Sequence, residues 1–214
     1  SSSAASDVYK RQLILRSASF QVAFLTATAV VSRVGTASLA GHQIMMQLWN
    51  FMSLILDSLA IAAQSLTGAA LGAGSARHAR SVGSKVALYS TIFSGLLAVV
   101  FAAGAGIIPR IFTSSPEVLD AISKPWWILV AMVIGGGVVF AFDGVLLGAG
   151  DAAFLRTLTI SSVLVGFLPG VILAHFMGTG LTGVWCGLAA FITFRMVGVV
   201  YRFRSMKWAV VQER

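Results

Sequence analysis

The sequence predicts an all-α integral membrane protein with six transmembrane helices, and three observations carry that expectation. Of 214 residues, 57% are hydrophobic and only 10% are charged, where a soluble domain is closer to a quarter charged. Mean hydropathy is +0.90. Six runs are apolar over the roughly 20 residues a helix needs to span a bilayer, and none alternates with the period of two that a membrane strand requires.

Taken in order, the chain opens with SSSAASDVYKRQ, which is unlike everything after it. It lacks the apolar core of a signal peptide, and its end resembles translated adaptor sequence. Residues 1–12 are therefore expected to lie outside the fold, and the chain is expected to be a fragment. The predicted helices cover about 13–34, 40–71, 86–108, 122–147, 154–177 and 181–203, followed by a cytoplasmic tail at 209–214. The fourth is interrupted near its centre by Gly135, Gly136 and Gly137, and the fifth by Gly166, Pro169 and Gly170. Each set marks either a break around a central site or close packing through small residues.

The basic residues are unevenly shared between the two ends of these helices. One side carries Arg16, Arg77, Arg80, Lys85, Arg156, Arg202, Arg204, Lys207 and Arg214; the other carries Arg33, Arg110 and Lys124. By the positive-inside rule both termini are cytoplasmic, in the cell (inner or plasma) membrane. The net charge of +8 is thus a matter of topology, and no nucleic-acid partner is expected. Trp126, Trp127 and Trp208 fall where an aromatic belt is expected. Cys186 lies in an apolar run and reads as a small packing residue. A single cysteine excludes an intrachain disulfide and a CxxC metal site.

The second helix carries the candidate site. Asp57 lies near its middle, where an ionisable residue costs roughly 2.5–3.5 kcal/mol to insert and is a functional-site candidate by default. Gln43, Asn50, Asp57 and Gln64 recur every seven residues, with Gln47 between. Seven residues are nearly two helical turns, so these side chains share one face that drifts by about 20° per step. Such a stripe points to a bundle interior or a water-filled cavity rather than to lipid. Met45, Met46 and Met52 flank it, as an adaptable binding surface or as ordinary core.

Two further patterns complete the reading. GAALGAGSA (Gly68 to Ala76) and GVLLGAGDA (Gly144 to Ala152) echo each other at the ends of the second and fourth helices. Their glycines suit helix C-caps, and Asp151 suits a turn or the cap of the next helix. With these, Ala40-Gly-His-Gln-Ile44, Asp57 through Gln64, Asp143 through Asp151, Arg195 and the tail from Arg202 to Trp208 make the chain resemble the C-terminal six-helix lobe of a multidrug and toxic compound extrusion (MATE) transporter, of the DinF-like branch. The resemblance implies two lobes facing each other across a central cleft, with the N-terminal lobe as the absent partner. It also implies export of a small-molecule substrate, xenobiotic or organic and expected to be cationic, against inward H⁺ or Na⁺. No other cofactor is expected.

Within that frame, Asp57 is the candidate for binding the coupling ion or the substrate, because low dielectric disfavours an ionised carboxylate and lets it take up and release a proton. Gln43, Gln47, Asn50 and Gln64 are candidates to coordinate a cation or to hydrogen-bond a substrate; interhelical polar contacts are the plainer alternative. Asp143 and Arg195 lie at similar depth and are expected to pair, as a lock on one conformation. His42, His78 and His175 lie at separate helix ends without metal-ligand spacing, and no nucleophile–base pair supports an enzyme. The alternatives are a lipid-linked oligosaccharide flippase of related architecture, disfavoured because the mid-membrane groups are acidic and amide, and a non-transporting membrane subunit.

Overall fold

A computed structural model of the chain describes residues 2–211. Arg214, one of the residues used to assign topology, and residues 212–214 of the expected tail lie outside the described residues. Among the described residues nine α-helices form: α1 (Ser2–Ser32), α2 (Thr36–Gly72), α3 (Ala76–Ala103), α4 (Ile108–Phe112), α5 (Pro116–Ser123), α6 (Pro125–Gly148), α7 (Ala152–Ser161), α8 (Leu168–Met177) and α9 (Gly180–Ser205). A π-helical segment, Ser162–Phe167, joins α7 to α8. Six continuous helical stretches among these are long and apolar enough to cross a membrane, and the described residues contain no strand.

The helix ends follow local chemistry. The Ser75 hydroxyl accepts from the His78 backbone N–H and starts α3 ten residues earlier than the apolar run begins. That first part of α3 exposes Arg77, Arg80 and Lys85. The two echoed glycine segments close α2 and α6 with the same hydrogen bonds. Ser75 N–H donates to the Ala70 carbonyl and Gly74 N–H to Leu71, while Asp151 N–H donates to Leu146 and Gly150 N–H to Leu147. Gly74 and Gly150 take φ of 84° and 78°, left-handed values that favour glycine. The echo is therefore shared capping chemistry. The side chain of Asp151 does not cap α7; it accepts from Arg202 Nε at 2.7 Å and ties α9 to the α6–α7 turn.

Helix α6 runs through the middle of the bundle, packed by α2, α3 and α9. Its glycines allow this. A Cβ at Gly144 would overlap the α2 backbone at Ala60, one at Gly148 would overlap it at Gln64, and one at Gly137 would overlap Ser94 of α3. Ser90 Oγ also donates to the Gly137 carbonyl at 2.7 Å. The glycine triplet therefore serves close packing, and α6 is unbroken from Pro125 to Gly148. The fifth span does depart from α-helix. Pro169 has no N–H to give and its ring crowds the carbonyl four residues back, and the wider π turn lies immediately before it. A groove of about 770 Å³ lies between this π segment and α9, with apolar walls that include Val165, Phe194 and Val197.

Three expectations about single residues are corrected. Trp126 and Trp208 are buried, with their indole N–H groups donating to the carbonyls of Phe101 and Phe203. Both are core residues, and only Trp127 is exposed as a belt residue would be. Cys186 is exposed on α9 rather than packed inside.

Candidate functional site

Helix α2 has one buried and one exposed face. His42, Met45, Trp49, Met52, Leu56, Ala60, Ala63 and Thr67 are buried against the lobe. Gln43, Gln47, Asn50 and Asp57 all project from the opposite, exposed face, and Gln64 is half-buried. The helical period dictates this: the large apolar residues and the small Ala60 and Ala63 meet α6, and the stripe is left pointing away. The interior of this lobe is excluded as its destination. Among the described residues, Asp57 makes no ion pair or side-chain hydrogen bond, so it does not glue helices within the lobe. Leu54 and Ile61, 73% and 60% exposed, alternate with the polar groups along the same face. Met45 and Met52 belong to the core, and only Met46 lies partly open.

The buried charges form a second constellation. Arg195 on α9, with a side chain 0% exposed, donates from Nη2 to Asp143 Oδ2 on α6 at 2.5 Å. Arg16 on α1 donates from its own Nη2 to the same oxygen at 2.7 Å. Arg195 also donates to the Thr159 hydroxyl on α7. The Phe20 ring lies against both guanidiniums, 5.4 Å from that of Arg16 and 4.8 Å from that of Arg195. One carboxylate thus joins α1, α6 and α9. Leaving such a buried carboxylate with no partner at all is costly, about 3–5 kcal/mol.

These residues share a depth because of where their helices begin and end. Arg16 is about 24 Å from the Ser32 end of α1, and Asp143 and Arg195 are about 27 and 22 Å from the Pro125 and Gly180 ends of their helices, at 1.5 Å per residue. Gly144 crosses α2 at Ala60, which is about 4.5 Å along the helix from Asp57. Asp57 and the Arg16–Asp143–Arg195 cluster therefore occupy one layer, the first on the exposed face of α2 and the second behind it.

The sequence reading missed the part played by Arg16, Thr159 and Phe20. In the sequence Arg16 lies three residues into an apolar run that begins at residue 13, so it reads as one of the charges that set topology. Counting back from the Ser32 end of the helix, rather than from its apolar start, puts Arg16 at the level of Asp143 and Arg195. The view that the mid-membrane groups are only acidic and amide is corrected by the same two arginines.

A neutral polar chain links α9, α2 and α1 elsewhere. Trp185 Nε1–H donates to His42 Nδ1 at 3.1 Å. Indole nitrogen only donates, so the His42 proton sits on Nε2, which donates to Thr28 Oγ1 at 3.1 Å. The Thr28 hydroxyl in turn donates to the Phe24 carbonyl at 3.1 Å. His78 and His175 are exposed and outside this polar chain, and no group of three or more candidate metal ligands occurs among the described residues.

The chain is similar to proteins already described. A family model described as MatE matches residues 13–172. Protein DETOXIFICATION 44, chloroplastic, of Arabidopsis thaliana is 31% identical over 213 residues, covering 93% of this chain and 38% of that protein. Multidrug and toxin extrusion protein 2 of Mus musculus is 25% identical over 192 residues, covering 89% of this chain and 34% of that protein. Among solved structures, the eukaryotic MATE transporter AtDTX14 superposes with a TM-score of 0.82 at 18% identity, over 87% of this chain and 42% of that one. The chain spans well under half the length of these relatives.

Proposed function

The chain belongs to the MatE family, and on that premise we propose that it forms one six-helix half of a secondary active efflux transporter. The transporter exports a small organic molecule, with a cationic one suited to Asp57, in exchange for inward H⁺ or Na⁺. The observation that carries the proposal is the exposed face of α2: a carboxylate at membrane depth, with three exposed amides beside it and no partner among the described residues of its own lobe. A second six-helix lobe opposite this face would turn it into one wall of a cleft. Ionised Asp57 holds a cation; protonated, it releases it. The Asp143–Arg195 contact holds α6 to α9 in the present arrangement and serves as the conformational lock. Both termini lie on the cytoplasmic side of the cell membrane, in keeping with the excess of Lys and Arg there.

The flippase alternative has gained one argument, because two arginines lie at depth. Together with Asp143 they leave a single positive charge, short of what a pyrophosphate with two or more negative charges demands. Efflux of small molecules is the better fit.

The test is cationic-dye efflux by cells carrying the two-lobed transporter that contains this chain, under an imposed pH or sodium gradient. The expected result is gradient-driven efflux that Asp57→Asn abolishes. Gradient-driven efflux that is the same with and without Asp57→Asn would sink the proposal.

A further inference from the structure

Two apolar grooves flank one ridge on α9. The first, of about 770 Å³, lies against α7 and the π segment, and the second, of about 490 Å³, lies against Val138 of α6. Val197 and Tyr201 line both grooves and separate them. About one helical turn apart, they are 62% and 68% exposed. From Ala190 in the first groove to Tyr201 is about 17 Å along α9, at 1.5 Å per residue. Half of a hydrocarbon core about 30 Å thick is close to that length, so the first groove runs the depth of one leaflet. Among the described residues that line the grooves, Arg204 alone is charged. It lies three residues beyond Tyr201, near the end of α9, and is exposed with no ion pair among the described residues. The neighbouring Arg202 is already committed: Asp151 answers its charge, and the Phe154 ring lies against its guanidinium at 4.9 Å.

We propose that this face of α9 holds one diacyl phospholipid with an anionic headgroup, in the leaflet on the side of the two termini. Its acyl chains straddle the Val197–Tyr201 ridge, one in each groove, and Arg204 donates to its phosphate. Tyr201 stands between chains and headgroup, at the level where an amphipathic ring is favoured. Two chains leaving one glycerol reproduce the pattern of two grooves, one ridge and one cation. A zwitterionic lipid carries its own cation beside the phosphate and so gains less from Arg204. A second copy of this chain fits worse, because a two-fold contact through this face would bring two unanswered Arg204 side chains into one interface. The grooves belong to α6, α7, the π segment and α9, apart from the polar stripe of α2, so the site does not depend on what Asp57 does.

The experiment is native mass spectrometry of the chain in neutral detergent, with dioleoyl phosphatidylglycerol and dioleoyl phosphatidylcholine at equal concentration. One phosphatidylglycerol per chain is expected, preferred about tenfold over phosphatidylcholine, and Arg204→Gln removes that preference, as loss of a charge-assisted hydrogen bond does. Arg77→Gln, on an exposed cation that lines neither groove, leaves it unchanged. Ala190→Trp, at an exposed position, fills the first groove and weakens both lipids about tenfold. If that variant does not fold, Thr193→Trp, also exposed and in the same groove, replaces it. Single-chain lysophosphatidylglycerol leaves one groove empty and binds at least about tenfold more weakly than the diacyl form. The proposal is overturned by equal binding of the two diacyl lipids, by equal loss in Arg77→Gln and Arg204→Gln, or by equal binding of the single-chain lipid. Displacement by glycerol phosphate overturns it in favour of a free-phosphate site, and a lipid-free dimer that Ala190→Trp breaks overturns it in favour of a second chain. Asp57→Asn is expected to leave lipid binding unchanged, so this reading and the efflux reading fail separately.

Discussion

Trp185 donates its indole N–H to Nδ1 of His42 across the α2–α9 interface, and this one bond sets which imidazole nitrogen carries the proton. The bond is buried, so its loss leaves an acceptor with nothing to accept from. Trp185→Phe is expected to cost about 1–3 kcal/mol, the range for stranding a buried polar group, and to lower the thermal midpoint in detergent. Adding His42→Leu removes the stranded acceptor, so the double change should cost less than the sum of the two singles. Strict additivity would mean that the bond does not form.

Asp143 has two partners, and each insures against loss of the other. Arg16→Gln and Arg195→Gln are each expected to be tolerated better than the double variant, which leaves a bare carboxylate and should cost more than the summed singles, by about 3–5 kcal/mol in total. Thermal unfolding of the three variants decides the matter. Exchanging the charges of Asp143 and Arg195 leaves Arg16 facing a like charge, so rescue should be complete only when Arg16→Asp is added.

The crossing of α2 and α6 has no room for a methyl group at Gly144 or Gly148. Gly144→Ala is expected to destabilise by at least about 1–3 kcal/mol, the usual range for overpacking, since backbone rather than a movable side chain is in the way. Gly95→Ala, in the middle of α3 with nothing within 4 Å of the new methyl, should be neutral or gain up to about 1 kcal/mol from helix propensity. Thermal midpoints of the two variants should therefore move in opposite directions, or the second not at all.

Asp57 is exposed and has no partner among the described residues, so its replacement touches function without touching the fold. Asp57→Asn is expected to change stability by less than about 0.5 kcal/mol, as for other surface substitutions. A larger loss, measured by thermal unfolding of the chain in detergent, would show that Asp57 has a structural partner after all.

By itself the sequence determined the class of fold, the six spans and the face of α2 that holds Gln43, Gln47, Asn50, Asp57 and Gln64. Those follow from hydropathy and from the 3.6-residue period, which are local properties of the chain. It also singled out Asp143 and Arg195, because charges in apolar runs are rare enough to be noticed one by one. What it could not determine is which way a face looks or which helices meet. Only packing decided that most of the stripe of α2 points out of the lobe, since Ala60 is held against Gly144 on the other side, and that Gln64, whose backbone meets Gly148, is half-buried. Only packing brought Arg16 across 127 residues of sequence to the Asp143 oxygen that Arg195 also uses. The same holds for the glycine triplet and the buried tryptophans: composition marked them, and the shapes of neighbouring helices chose between a break and a close contact, or between lipid and core.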